Sequence, residues 1–146
     1  MNRDLIHSRF GIPLSTLAKW EKTRPDYYRY LSKAPTLLDS LPAAEVDDIM
    51  TLTKTKAINE RLGVEGTFAK SEMSITASTV SAWMTSEKTP LYVALVAGAI
   101  LDNLEPHLEM AGKTLDDIVG SGHNIVDIVF VWRHRPTIFL ALLNGL

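Results

Sequence analysis

Cysteine is absent from this 146-residue sequence, which excludes a disulfide framework and any thiolate metal site. A reducing, intracellular setting fits that absence. No apolar run approaches the roughly 20 residues needed to span a bilayer. The longest, PLYVALVAGAIL at 90–101, predicts a buried helix and no membrane partner. The first ten residues, MNRDLIHSRF, place charges where a secretory leader needs an apolar stretch, so the sequence predicts a cytoplasmic chain. Alternating polar and apolar positions are scarce, which leaves little material for strands.

Enzyme chemistry is thin as well. His7, His107, His123 and His134 lie far apart and fit no metal spacing such as HExxH. Asp47-Asp48 and Asp116-Asp117 are adjacent pairs, and adjacent residues on a helix do not face one another. They read as helix-start charges favoured by the dipole. GSGH (120–123) lacks both the preceding strand and the following Gly-Lys-Ser of a phosphate loop. RHR (133–135) reads first as a plain loop and otherwise as a contact for phosphate or an acidic partner. The prediction is a non-enzyme with no cofactor and no metal.

What is present is apolar mass and uneven charge. Hydrophobic residues make up 46% of the chain, enough for one domain or two small lobes. The net charge of −2 argues against unselective nucleic-acid binding. Residues 1–34 nevertheless hold seven bases against three acids, a local +4. Residues 35–146 hold eight bases against fourteen acids, or −6. Such asymmetry points to one anion-facing end.

Helical spacing dominates throughout. Ile6 and Phe10 predict a helix over 3–10, stopped at Gly11. Leu14, Leu17 and Trp20 predict one apolar face on a helix over 14–22. Asp26 reads as the N-cap of a third helix bearing Tyr28 and Leu31, with Pro35 and Pro42 as breaks. Helical pattern returns over 43–62, interrupted near 51–53, then over 66–73 and 77–85. Thr89-Pro90 opens a helix over 90–104, and Pro106 opens a further short piece. Thr114 and Asp117 form a capping-box pair for a helix ending near Gly120. IVDIVFVW (125–132) is β-branched enough for a strand. No other segment offers that strand a partner, which favours a helix, followed by a last helix over 137–145. The expected fold is an all-α multi-helix bundle. Residues 1–42 form an N-terminal unit, and 43–146 hold a second unit and the C-terminal helices, packed with the first as one compact domain.

The opening stretch recurs. Ile12, Ser15, Thr16, Leu17 and Trp20 match Ile75, Ser78, Thr79, Val80 and Trp83 at a constant offset of 63. Each copy then passes a charged turn with a proline and presents Tyr and Leu three residues apart, Tyr28 with Leu31 and Tyr92 with Leu95. A duplicated three-helix unit accounts for this economically. WRHRPTIFLAL, from Trp132, is a fainter third echo whose upstream half does not match. Trp20, Trp83 and Trp132 read as core anchors, because apolar faces at helical spacing are normally buried.

Residues 3–22, RDLIHSRFGIPLSTLAKWEK, resemble the helix-turn-helix of bacterial and phage repressors and Cro-like regulators, with a second copy at 68–85. The resemblance rests on Ile6 and Phe10 in a first helix, Gly11 and Ile12 in the turn, and Leu17 and Trp20 in a second helix. His7 replaces the usual small residue. Such a resemblance implies a sequence-specific double-stranded DNA-binding regulator, with residues 14–20 in the major groove. Ser15, Thr16 and Lys19 would meet base edges. Arg3, Arg9, Lys22, Arg24, Tyr27 and Arg29 would hold phosphates. Paired half-sites imply a homodimer, with the apolar remainder, particularly 90–101 and 125–146, packing the second unit and mediating self-association. The second copy carries no charge excess, which suits a structural role better than phosphate binding. The alternative is a helical protein-interaction module of antitoxin or phage-inhibitor type, engaging a protein partner through the C-terminal helices without DNA.

Overall fold

A computed structural model describes all 146 residues. The chain is an all-α multi-helix bundle, 76% helical and without strands. In order the helices are α1 (Arg3–Phe10), α2 (Leu14–Thr23), α3 (Pro25–Asp39), α4 (Ala43–Ile49), α5 (Thr55–Leu62), α6 (Phe68–Met73), α7 (Ala77–Thr85), α8 (Thr89–Ala111), α9 (Leu115–Gly120), α10 (Ile125–His134) and α11 (Pro136–Asn144).

α8 is the centre. Every residue from Leu91 to Leu101 is buried, so this helix is apolar all round and lies inside the bundle; it packs the units as expected but offers no self-association surface, contrary to the expectation for 90–101. α3 packs along it, burying Tyr27, Tyr30, Leu31, Ala34, Leu37 and Leu38. The two backbones meet closely at Gly98, where a Cβ would stand 1.8 Å from the Tyr30 carbonyl oxygen. No other residue fits there without separating the helices. One apolar cluster runs from Ile6 to Leu143 and takes in both halves of the chain. The buried Tyr92 hydroxyl donates to Asn59 Oδ1 (2.7 Å), and Asn59 Nδ2 donates to the Glu65 carbonyl (3.1 Å). These bonds satisfy polar groups that would otherwise cost about 1–3 kcal/mol each.

Local chemistry sets the helix ends. Asn2 accepts from the Leu5 N–H at 3.1 Å and caps α1, and Gly11, at φ 69°, ends it in the left-handed region. Thr114 and Asp117 form the reciprocal capping box that their spacing predicted. Residues 125–132 are helical, as the lack of a partner strand implied.

Several predicted boundaries move. Pro35 lies inside α3 and Pro106 inside α8. Each lacks an N–H for the ladder, but the buried stripe of its helix continues past it and holds the turn. Pro25, at the first helical position, opens α3 in place of an Asp26 cap, and Asp26 instead binds Arg24 at 2.9 Å. Leu14 is 43% exposed rather than part of the inner face. Arg133 sits in α10, not in a loop, and spans Glu65 and Glu72.

The internal echo is written in the backbone. From 6–20 and from 69–83, all fifteen paired positions share the same state, whether buried, half-buried or exposed. Ser74, at φ 53°, takes the left-handed place of Gly11. α2 begins at 14 and α7 at 77, again 63 apart. A third unit follows the same plan at an offset of 111. Gly122 takes the left-handed turn at φ 83°, α10 spans the positions equivalent to α2, and α11 begins where α3 does. Arg24-Pro25 and Arg135-Pro136 make the same joint, with φ/ψ of −138°/70° and −142°/67° at the arginines. The third echo therefore repeats the helix bounds and the turn but not the burial pattern: Ile6, Phe10 and Ile12 are buried where Asp117, Ser121 and His123 are exposed. α4 and α5 bridge the first unit to the second.

Candidate nucleic-acid interface

α2 carries the candidate contact face. Leu17 is fully buried and Trp20 half-buried, which anchors the helix on its inner side. The i, i+3, i+4 geometry then turns Leu14, Ser15, Ala18, Lys19 and Lys22 outward, and all five are exposed. Lys19 and Lys22 take part in no ion pair. Pro13 precedes the helix and supplies no side-chain cap, and no acid occupies the first turn. The Thr16 and Leu17 N–H groups donate to the Pro13 carbonyl, while those of Leu14 and Ser15 are left without an acceptor in the chain, a setting that favours an anion. His7 braces the turn, its Nδ1–H donating to the Ile12 carbonyl at 2.7 Å. Its ring is exposed, so the size of this residue does not disturb the packing of α1 on α2.

Thr16 is set apart from Ser15 and Lys19. It is half-buried and lines a cleft against the second unit.

The expected phosphate contacts divide. Lys22 is exposed and unpaired. Each of the four arginines is held by a carboxylate: Arg3 by Glu21, Arg9 by Asp39 at 2.9 Å, Arg24 by Asp26 at 2.9 Å, and Arg29 by Asp102 at 3.1 Å. Lys33 bridges Asp102 and Glu105 at 2.7 and 3.0 Å. The local +4 of residues 1–34 is thus largely met by acids, three of them from beyond residue 34. The pairing shows in the titration of the groups. The Asp26 hydrogen bond raises the Arg24 pKa, and the reciprocal bond holds Asp26 below the usual carboxylate range. Burial pushes Asp102 upward, but the bonds from Lys33 and Arg29 together outweigh it and leave that carboxyl low. Exposed pairs of this kind are worth about 0–1 kcal/mol, so a phosphate can compete for the arginines. They are not free charges.

Tyr27 corrects an expectation. It is 4% exposed, its ring lies under the Arg24 guanidinium at 3.6 Å, and burial raises its hydroxyl pKa. Trp20 meets it edge-on at 5.2 Å and Trp83 at 6.3 Å. Tyr27 is the joint between the first two units and cannot serve as a phosphate contact. Sequence spacing placed Ser15, Ala18 and Lys19 outward but misplaced Leu14 and Thr16, and the aromatic joint and the partners of the arginines lie too far apart along the chain for spacing to find.

The second unit offers a different surface. Ala77, Ser78, Ser81 and Ala82 are exposed on α7 without a cation among them. Thr76 caps the helix, accepting from the Thr79 N–H at 3.3 Å. The third unit presents Phe130, 50% exposed, with Ile138 and Leu140 on α11. No helix is long and apolar enough to cross a membrane. No cluster of three or more His, Asp or Glu side chains is placed to hold a metal ion.

No known protein family, no curated protein and no solved structure matches this chain.

Proposed function

We propose that this protein binds double-stranded DNA sequence-specifically through α2 and acts as a transcriptional regulator of bacterial or phage type. One observation carries the reading: α2 is anchored by Leu17 and Trp20 while Ser15, Ala18, Lys19 and Lys22 stand outward, with an uncapped N-terminus at the leading end. In a major groove, the Lys19 ammonium suits guanine O6 and N7, the Ser15 hydroxyl suits several base edges, and Ala18 permits close approach. Lys22 and the opening N–H groups suit phosphate. A single helix reads few base pairs, so a cytoplasmic homodimer assembled through the C-terminal helices belongs to the same reading.

Selection of bound sequences from random duplexes is the direct test, and an enriched palindrome is the expected result. Lys19→Glu is expected to weaken the selected complex at least about tenfold, or 1.4 kcal/mol. Salt dependence measures the clamp. Two free lysines predict a slope of about −2 in log K against log salt, and recruitment of the four arginines predicts about −5. Failure to enrich any duplex, or indifference to Lys19→Glu, overturns the proposal.

The carboxylates on the arginines favour a second reading, a helical protein-interaction module that uses the exposed Phe130, Ile138 and Leu140. Binding through that apolar surface is expected to be nearly insensitive to salt.

A further inference from the structure

The cleft between the first two units joins Ile12, Thr16 and Trp20 of the first copy to Trp83 of the second and to the segment that follows it. Ile12, Thr16 and Trp20 line one side, and Trp83, Lys88 and Leu91 line the other, around a cavity of about 300 Å³. That volume lies at the lower end of small-ligand sites. It admits one ring or a fused pair with a short polar tail.

The two indoles are half-buried, so each keeps part of its ring open. Aromatic partners prefer offset or edge-to-face approach to such rings. Charge narrows the ligand further. Glu87 and Lys88 both line the cleft, both are exposed, and neither forms an ion pair within the chain. Glu87, at φ 57°, is the left-handed residue that closes α7: its N–H donates to the Met84 carbonyl and the Lys88 N–H to the Trp83 carbonyl, which fixes both side chains at the rim of the cleft. A ligand with one charge would satisfy one of these neighbours and repel the other. A ligand carrying an ammonium and a carboxylate satisfies both. The Thr16 hydroxyl adds a donor and acceptor within the same cavity.

We propose that this cleft binds a small aromatic zwitterion, of the chemical class of the aromatic α-amino acids. Its ring lies between Trp20 and Trp83, its carboxylate meets Lys88 and its ammonium meets Glu87. The site stands on the cleft alone and does not depend on DNA binding.

The test uses the full chain labelled at its indole nitrogens, with L-phenylalanine as probe and no DNA present. Phenylacetate, which lacks the ammonium, and phenethylamine, which lacks the carboxylate, are the comparison probes. Saturable shifts are expected at the Trp20 and Trp83 indole N–H signals, with Trp132 as the unmoved internal reference. The two analogues are expected to bind at least about tenfold more weakly. Lys88→Gln and Glu87→Gln, both at exposed positions and safe for folding, are expected to bring phenylalanine affinity down to that of the analogues. No saturation by about 20 mM, a limit corresponding to a binding free energy of roughly −2.3 kcal/mol, overturns the proposal. Equal affinity for the three probes, or unchanged affinity in both variants, overturns it too.

Discussion

Residues 6–20 and 69–83 place the same positions inside and outside, yet their outer faces have little in common. α2 shows two unpaired lysines and an uncapped start, whereas α7 shows serines and alanines behind a threonine cap. The inner positions are held by packing against α3 and α8, where a change of one methylene is felt. The outer positions answer only to solvent and partners, so they are free to differ. α10, the third equivalent, goes further and exposes Phe130. Three helices on one backbone plan thus carry a cationic, a hydroxyl-bearing and an apolar surface. Shared architecture is no sign of shared function among them.

The crossing of α3 and α8 is what makes the units one body, so its loss is the severest way to separate them. Gly98→Leu forces a side chain into the Tyr30 carbonyl and is expected to cost more than about 3 kcal/mol, the upper range for overpacking. Thermal unfolding measures it, and a near-native midpoint would show that the crossing yields. Next comes a direct comparison of anchors. Leu17→Ala is expected to cost about 2–5 kcal/mol, and its counterpart Val80→Ala less, because valine is smaller and Val80 is 7% exposed. Equal losses by denaturant titration would contradict the stronger anchoring of the first unit.

Acid probes the ionic link between the units. Asp102, bound by Arg29 and Lys33 of α3, has a folded pKa below its ordinary value. Its contribution is therefore complete above that ordinary value and is lost as pH falls through the lower folded one. Stability is expected to be flat above about pH 5 and to decline below about pH 4. Asp102→Asn, losing about 1 kcal/mol at neutral pH, should flatten part of that decline. A steeper acid slope in the variant would be the wrong sign.

The left-handed turns give the smallest and most symmetrical contrast. Gly11→Ala places a Cβ at φ 69° and is expected to destabilise by about 1 kcal/mol. Ser74→Gly relieves the same conformation in the second unit and is expected to stabilise by up to about 1 kcal/mol. Opposite signs are the outcome that confirms equivalence of the two turns.

Much of this was readable along the chain. Ile6 with Phe10 and Ile12 with Leu17 marked the first unit, because helical burial recurs every three or four residues. The offset of 63 marked its copy. Proline misled at Pro35 and Pro106, since its local cost of about 3 kcal/mol says nothing of what a long buried stripe returns. The apparent cationic surface also misled. Arg29 and Asp102 are 73 positions apart, and no local pattern joins them. Tyr27 looked available for the same reason, because its indole neighbours come from two different units.

The sequence by itself determined the all-α class, nearly all the helices, and the outward placement of Ser15, Ala18 and Lys19 on α2, though not of Leu14 and Thr16, because each follows from spacing within a dozen residues. Tertiary structure alone decided which cations are free, that Tyr27 is a joint, that a third unit repeats the plan of the first, and that two tryptophans share a cleft. Those facts depend on distance through space between residues remote along the chain, and short-range periodicity carries no record of that distance.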